Sequence, residues 1–127
     1  MAHRPRRLRR TETLRRMVRE NILRVEDLIY PLFVMEGERQ REEVPSMPGC
    51  YRYTLDLLLD EVKQADNLGI AAIALFPLIP HEQKDNAGTE SYNPDGLIPR
   101  AVQAIKQAIP HILVITDVAL DPYSSQG

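Results

Sequence analysis

The sequence holds a single cysteine, Cys50, which excludes an internal disulfide and any thiolate metal cluster within one chain. Long apolar runs are also missing. The longest, Leu28–Val34 and Ile70–Ile79, are too short to cross a bilayer and contain prolines. The basic N-terminus lacks the apolar stretch of a secretory signal, and Glu12 and Glu20 interrupt what would have to be an acid-poor transit peptide. There is no glycine-rich phosphate loop, since NAG and PDG read as turns. Apart from RPRRLRR no low-complexity tract is present, and no internal repeat. His3 and His111 have no acidic or cysteine companion in a ligand spacing, and Cys50 lies in a Pro-Gly-Cys turn without an evident base. The expected setting is reducing and cytoplasmic, with no membrane partner.

What remains is one domain's worth of ordinary globular chain: 127 residues, 43% hydrophobic and 27% charged. Its charge is uneven. Residues 1–24 hold nine Arg and two Glu, whereas the rest holds seven Lys or Arg against sixteen Asp or Glu. The arm, with Arg4, Arg6, Arg7, Arg9 and Arg10 at its head, could bind nucleic acid, dock on the acidic body of another copy, or simply be solvated. It lacks the interleaved aromatics of a base-stacking surface, so nucleic acid is not the expected partner.

Hydrophobic periodicity divides the chain into 1–24, a basic arm with a short helix, and 25–127, a βα body. Thr11 or Thr13 can cap TLRRMVREN, with Leu14, Met17 and Val18 on one face and Asn21 as the stop. DLIYPLFVME reads as a strand in which Pro31 belongs at an end or bulge. Gly37–Tyr53 reads as a long loop. TLDLLLDEVKQADNLG is the clearest helix: Thr54 caps it, Leu55, Leu58, Val62 and Ala65 share a stripe, and Gly69 stops it with Ile70 closing a Schellman contact. Ile70–Pro77 is a second strand. GLIPRAVQAIKQAIP is a second helix, buried through Ile98, Ala101, Val102, Ile105, Ala108 and Ile109, with Pro99 in its first turn and Pro110 ending it. Ile112–Thr116 is a third strand. Apolar strands alternating with helices predict an α/β fold with parallel βαβ units. Right-handed crossovers place both helices on one side, as at the start of a (β/α)8 TIM barrel.

Chemistry in such a sheet gathers at the carboxyl ends of the strands. Asp117 directly follows a strand end and Asp121 lies four residues on. The pair could bind a hard cation or handle a proton. Alternatively Asp117 caps a turn and Asp121 pre-organises an Asp-Pro turn, which spacing alone favours. His81, Glu82, Asp85 and Glu90 form a looser set in the loop before the second helix, and a solvated loop is the plainer reading of them.

RPRRLRR, DLIYPLFVMEG, SMPGCYRY, LGIAAIALFP, KDNAGTESYNPDGL, RAVQAIK and VITDVALDPYSS, taken in order, resemble consecutive segments of the 5-aminolevulinate dehydratase (porphobilinogen synthase) family, in its cyanobacterial and chloroplast branch. The resemblance implies a TIM barrel preceded by an arm that wraps a neighbouring subunit, usually in a homo-octamer. It implies condensation of two 5-aminolevulinate molecules to porphobilinogen in haem and chlorophyll biosynthesis, through Schiff bases on two barrel lysines. Lys63, Lys84 and Lys106 match neither lysine, so the chain is expected to be the opening portion of such an enzyme and inactive alone. A non-catalytic piece that grips full-length dehydratase is the alternative. The zinc-dependent branch carries cysteines at positions matching 119 and 121. Ala119 and Asp121 stand there instead, which implies magnesium rather than catalytic zinc, with Asp117 and Asp121 in the metal site and Asp117 in proton traffic. A plant or algal source would imply the plastid stroma.

Overall fold

The structure, a computed structural model, describes residues 6–126. Five strands form one sheet: β1 (Ile29–Met35), β2 (Arg41–Glu43), β3 (Tyr51–Thr54), β4 (Ala72–Leu78) and β5 (Leu113–Thr116), in the order β2-β3-β1-β4-β5. The pairs β3–β1, β1–β4 and β4–β5 are parallel, and β2–β3 is an antiparallel hairpin. The helices are α1 (Glu12–Met17), α2 (Leu55–Asn67) and α3 (Leu97–Ala108).

Strand β1 runs in register with β4 from Ile29–Ala72 to Met35–Leu78, and β4 with β5 from Ala72–Leu113 to Leu75–Thr116. Alternation then divides the side chains between two faces. Leu32 and Val34 of β1 and Ile73 and Leu75 of β4 are buried in one cluster with Leu58 and Val62 of α2 and Ala101 and Ile105 of α3. Both helices therefore pack on one face, as the crossover rule requires. The other face carries Ile29, Phe33, Phe76, Leu113 and Ile115. Phe33 and Phe76 are register partners whose ring centroids lie 5.8 Å apart. Ile29, Leu113 and Ile115 remain 55%, 59% and 37% exposed.

Helix α2 forms where its stripe predicts, burying Leu58, Val62 and Ala65. Its end is a Schellman turn: Gly69 has φ +84°, its N–H donates to the Asp66 carbonyl at 2.8 Å, and Ile70 N–H donates to the Ala65 carbonyl at 3.0 Å. Thr54 occupies the N-cap position but makes no capping bond. Its buried hydroxyl instead donates to Asp56 Oδ1 at 2.6 Å and accepts from Gln40 N–H at 3.1 Å. Helix α3 buries Leu97, Ala101 and Ile105, its C-cap Ile109 is buried with them, Ile98 and Val102 pack partly buried against the core, and of the expected list Ala108 lies on the exposed side. Lys106 Nζ donates to the carbonyls of Pro110 and Ile112, placing a cation at the helix's C-terminal end.

Three further expectations are corrected. Gly37–Tyr53 is not a plain loop, because it contains β2 and β3, with β3 pairing to Phe33–Met35 of β1. The hairpin is short and charged, and its REE strand has no apolar alternation to read. Pro31 sits inside β1, paired with Ala74, rather than at an end or bulge. The ladder with β3 begins only at Phe33, so one flank of β1 is an open edge at Pro31. Finally, α1 stops at Met17, well short of Asn21. Thr11 Oγ1 caps it by accepting from Leu14 N–H at 3.2 Å. Its apolar face is uncovered, with Met17 77% exposed.

Candidate active site

Two loops leave the carboxyl end of the parallel sheet, one from β4 to α3 and one beginning at Asp117 after β5. They meet. Asp85 and Ser124 form an isolated parallel bridge, and Ser125 N–H donates to the Asp85 carbonyl at 3.0 Å. Between the loops and the first turn of α3 lies a cleft of about 310 Å³, whose wall includes Glu90, Gly96, Asp117 and Tyr123.

Each wall residue is placed by its own segment. Asp117 is exposed and continues the strand directly after Thr116, which pairs with Leu75. Glu90 receives the Asn93 side-chain amide on both carboxylate oxygens, at 3.1 and 3.0 Å. Gly96, the N-cap of α3, is buried against it: a Cβ there would lie 2.9 Å from Glu90 Oε1. The carboxylate end could swing aside, but the Asn93 carbonyl at 3.1 Å belongs to the backbone, so crowding rather than an unusual φ is what favours glycine. Tyr123 is half-buried, and burial first, then the nearby charge of Glu90, raises its phenol pKa. Behind the cleft, Arg100 of α3 forms an ion pair with Glu36, one residue beyond β1. Its Nε donates to the Asp95 carbonyl at 3.0 Å. This clasp ties the start of α3 to the end of β1.

Asp121 does not join Asp117 on the cleft wall. It opens a tight 3-10 turn with Pro122 and Tyr123, and its carbonyl accepts from Ser124 N–H at 3.3 Å. The Asp-Pro turn reading therefore describes its local role. His81, Glu82, Asp85 and Glu90 do not converge either. His81 and Glu82 lie in an exposed 3-10 turn, Asp85 Oδ1 accepts from Thr89 N–H at 2.9 Å, and Glu90 serves Asn93. Among the described residues no three His, Cys, Asp or Glu side chains group as a metal site.

Arg4 and His3 lie outside the described residues, while Arg6, Arg7, Arg9 and Arg10 are all exposed. His111 has a partner that local spacing could not reveal: its Nε2 lies 2.7 Å from Asp66 Oδ1, joining the end of α2 to the turn after α3. Tyr123 and the Glu36–Arg100 clasp are not foreseen by the sequence pattern, and Glu90, named there only in a loose acidic set, proves to be a cleft residue. The signals available were weak ones, a carboxylate just after a strand and an arginine in the first turn of a helix. Lys63 pairs with Asp60 at 3.2 Å on the exposed side of α2, and Lys106 caps α3. Neither amine belongs to the cleft wall.

Comparison with known proteins agrees on one family. Residues 2–127 match the family model described as delta-aminolevulinic acid dehydratase. The chain is 48% identical, over its whole length, to the delta-aminolevulinic acid dehydratase of Bradyrhizobium diazoefficiens, covering 36% of that protein. It is 49% identical over 98% of its length to the enzyme of Synechocystis, covering 37% of it. The chloroplastic enzyme of Physcomitrium patens is 45% identical over the whole chain, which covers 29% of that relative. Among solved structures, the Toxoplasma gondii dehydratase, crystallised with its reaction product porphobilinogen, superposes with a TM-score of 0.92 at 49% identity. That match covers 98% of this chain and 35% of that one. The chain thus spans a little over a third of the length of most of these relatives, and with a family model matching nearly every residue it belongs to the delta-aminolevulinic acid dehydratase family.

Proposed function

We propose that this chain forms the opening part of a porphobilinogen synthase, which condenses two 5-aminolevulinate molecules to porphobilinogen with loss of two waters. The observation that carries this reading is the close superposition on a dehydratase holding porphobilinogen, at 49% identity. In this reading β1, β4 and β5 are the first three strands of a (β/α)8 barrel, α2 and α3 belong to its outer layer, and the uncovered sheet face looks into the barrel.

Asp117 takes the role that its place after the third parallel strand supports, holding or moving a proton at the substrate's amine or carbonyl. The two amines that form Schiff bases come from elsewhere in the enzyme. Lys63 and Lys106 are engaged on helices, and Lys84 matches neither lysine segment of the family. An iminium is a better electron sink than a ketone, and the covalent link holds the reactants together. The chain alone is therefore expected to be inactive. Magnesium is the family expectation for an aspartate at position 121, and two carboxylates offer the oxygen ligands it prefers. The described residues do not complete such a site.

The arm is assigned to assembly. It exposes Leu8, Met17, Ile22 and Leu23 beside its arginines, which suits docking on the acidic body of a sister chain in a homo-octamer. The same exposed residues favour a second reading, a piece that grips full-length dehydratase without catalysis. Mixing this chain with one that carries the later strands of a relative's barrel separates the two. Porphobilinogen formed only in the mixture supports the first reading. Capture of intact dehydratase that weakens as salt rises, with no product in the mixture, supports the second.

A further inference from the structure

We propose that Asp85 is a positioning residue that holds the Asp117–Ser125 loop in place by docking it on the loop after β4. The proposal rests on the porphobilinogen synthase reading and names a part of that site which neither the sequence pattern nor the family resemblance assigned.

The loop after β5 is anchored at two ends. At the first, Thr116 is in register with Leu75 of β4. Beyond it, the backbone bonds of Tyr123 and Ser124 return to Leu120 and Asp121, within the loop itself. Among the described residues, the backbone bond that leaves this loop is Ser125 N–H to the Asp85 carbonyl, at 3.0 Å. The same carbonyl accepts from Gly88 N–H at 3.3 Å, so both of its lone pairs are used.

The Asp85 side chain fixes the turn that presents this carbonyl. Its Oδ1 accepts from Thr89 N–H at 2.9 Å across a turn whose corner is Gly88, at φ +63°. Gly88 is buried, and a Cβ added to it would lie 3.8 Å from Cβ of Tyr123 and 4.0 Å from the Leu120 carbonyl. The turn is therefore the seat for Leu120 and Tyr123, and the carboxylate keeps the seat in shape. Asp85 itself is exposed, so replacing it opens no cavity. The consequence runs through geometry: without the carboxylate to hold the turn, the carbonyl that receives Ser125 N–H is displaced, and the stretch bearing Asp117 and Asp121 loses its backbone bond to the loop after β4. Small misplacements of reacting groups cost large factors in rate.

The test compares Asp85→Ala and Asp85→Asn by amide hydrogen exchange and by kcat and KM, both in the mixture with the later barrel strands. Asparagine keeps the Oδ1 acceptor, and alanine does not. The expected result is that Asp85→Ala speeds exchange at Thr89 and Ser125 by about tenfold or more and lowers kcat by about tenfold, with KM within about threefold. Asp85→Asn should stay close to the native values in both. An Asp85→Ala variant with native Ser125 protection overturns the proposal. So does an Asp85→Asn variant as impaired as alanine, or a native mixture with no protection at Ser125. A native mixture that makes no porphobilinogen, while Ser125 still responds to Asp85→Ala as expected, sinks the functional reading and leaves the docking intact.

Discussion

Thr54 shows how much one buried hydroxyl can organise. It joins the hairpin strand β3, the start of α2 and the loop after β1 by bonding Asp56 and Gln40. Thr54→Val keeps the shape but leaves the Gln40 N–H without its acceptor, which is expected to cost about 1–3 kcal/mol in chemical unfolding of the chain assembled with the later barrel strands. Asp56 also accepts from Arg39 N–H at 2.9 Å. The Thr54 hydroxyl first, and this backbone bond with it, hold its pKa below the ordinary value. The stability it contributes is present above the unfolded carboxylate pKa, about 3.9, and is lost as pH falls through the lower folded value. The alkaline limit belongs to tyrosines. Burial is the first cause raising the pKa of Tyr30, Tyr53 and Tyr123, and Tyr30 also donates to Glu61 Oε1 at 2.8 Å. Their contribution is fully present below the unfolded pKa of about 10 and is lost as pH rises through the higher folded values. Titration followed by tyrosinate absorbance should show these phenols ionising later than free tyrosine. Ionisation at the free value in the folded chain would contradict their placement.

At the level of elements, packing decides which segments matter. Ile105 is fully buried between α3, α2 and the sheet, so Ile105→Ala is expected to cost about 2–5 kcal/mol. Leu23, in the arm, is 79% exposed, and Leu23→Ala should change stability by no more than about 0.5 kcal/mol. Urea unfolding of the two variants, each assembled with the later barrel strands, checks both. The same contrast explains what was legible in the sequence. Helices α2 and α3 and strands β1, β4 and β5 announce themselves because apolar residues recur with the period of the element. Gly69 marks its Schellman turn because only glycine enters that φ easily. The β2–β3 hairpin stayed hidden because REE carries no apolar alternation and YRYT only begins one. Pro31 misled because the rule against proline concerns ladders on both flanks, and β1 has an open flank there. In the site, Asp117 could be placed at a strand end from pattern alone. The Asp85–Ser125 dock and the Glu36–Arg100 clasp could not, since they join residues 40 and 64 apart in the chain.

The whole molecule is two-sided. One sheet face is sealed by α2 and α3. The other exposes Ile29, Leu113 and Ile115, and the chain spans 36% of the length of a close relative. Exposed apolar surface of this kind favours association or burial by further structure. The isolated chain is expected to lack a cooperative monomeric melting transition in dilute solution, and scanning calorimetry with sedimentation checks this. The lysines decide whether this chain contributes architecture and a carboxylate while other segments contribute the covalent amines. Treating the mixture of this chain and the later barrel strands with 5-aminolevulinate and borohydride, followed by peptide mass mapping, reads that division directly. Reduced adducts are expected on the added strands alone. An adduct on Lys63, Lys84 or Lys106 would contradict that division.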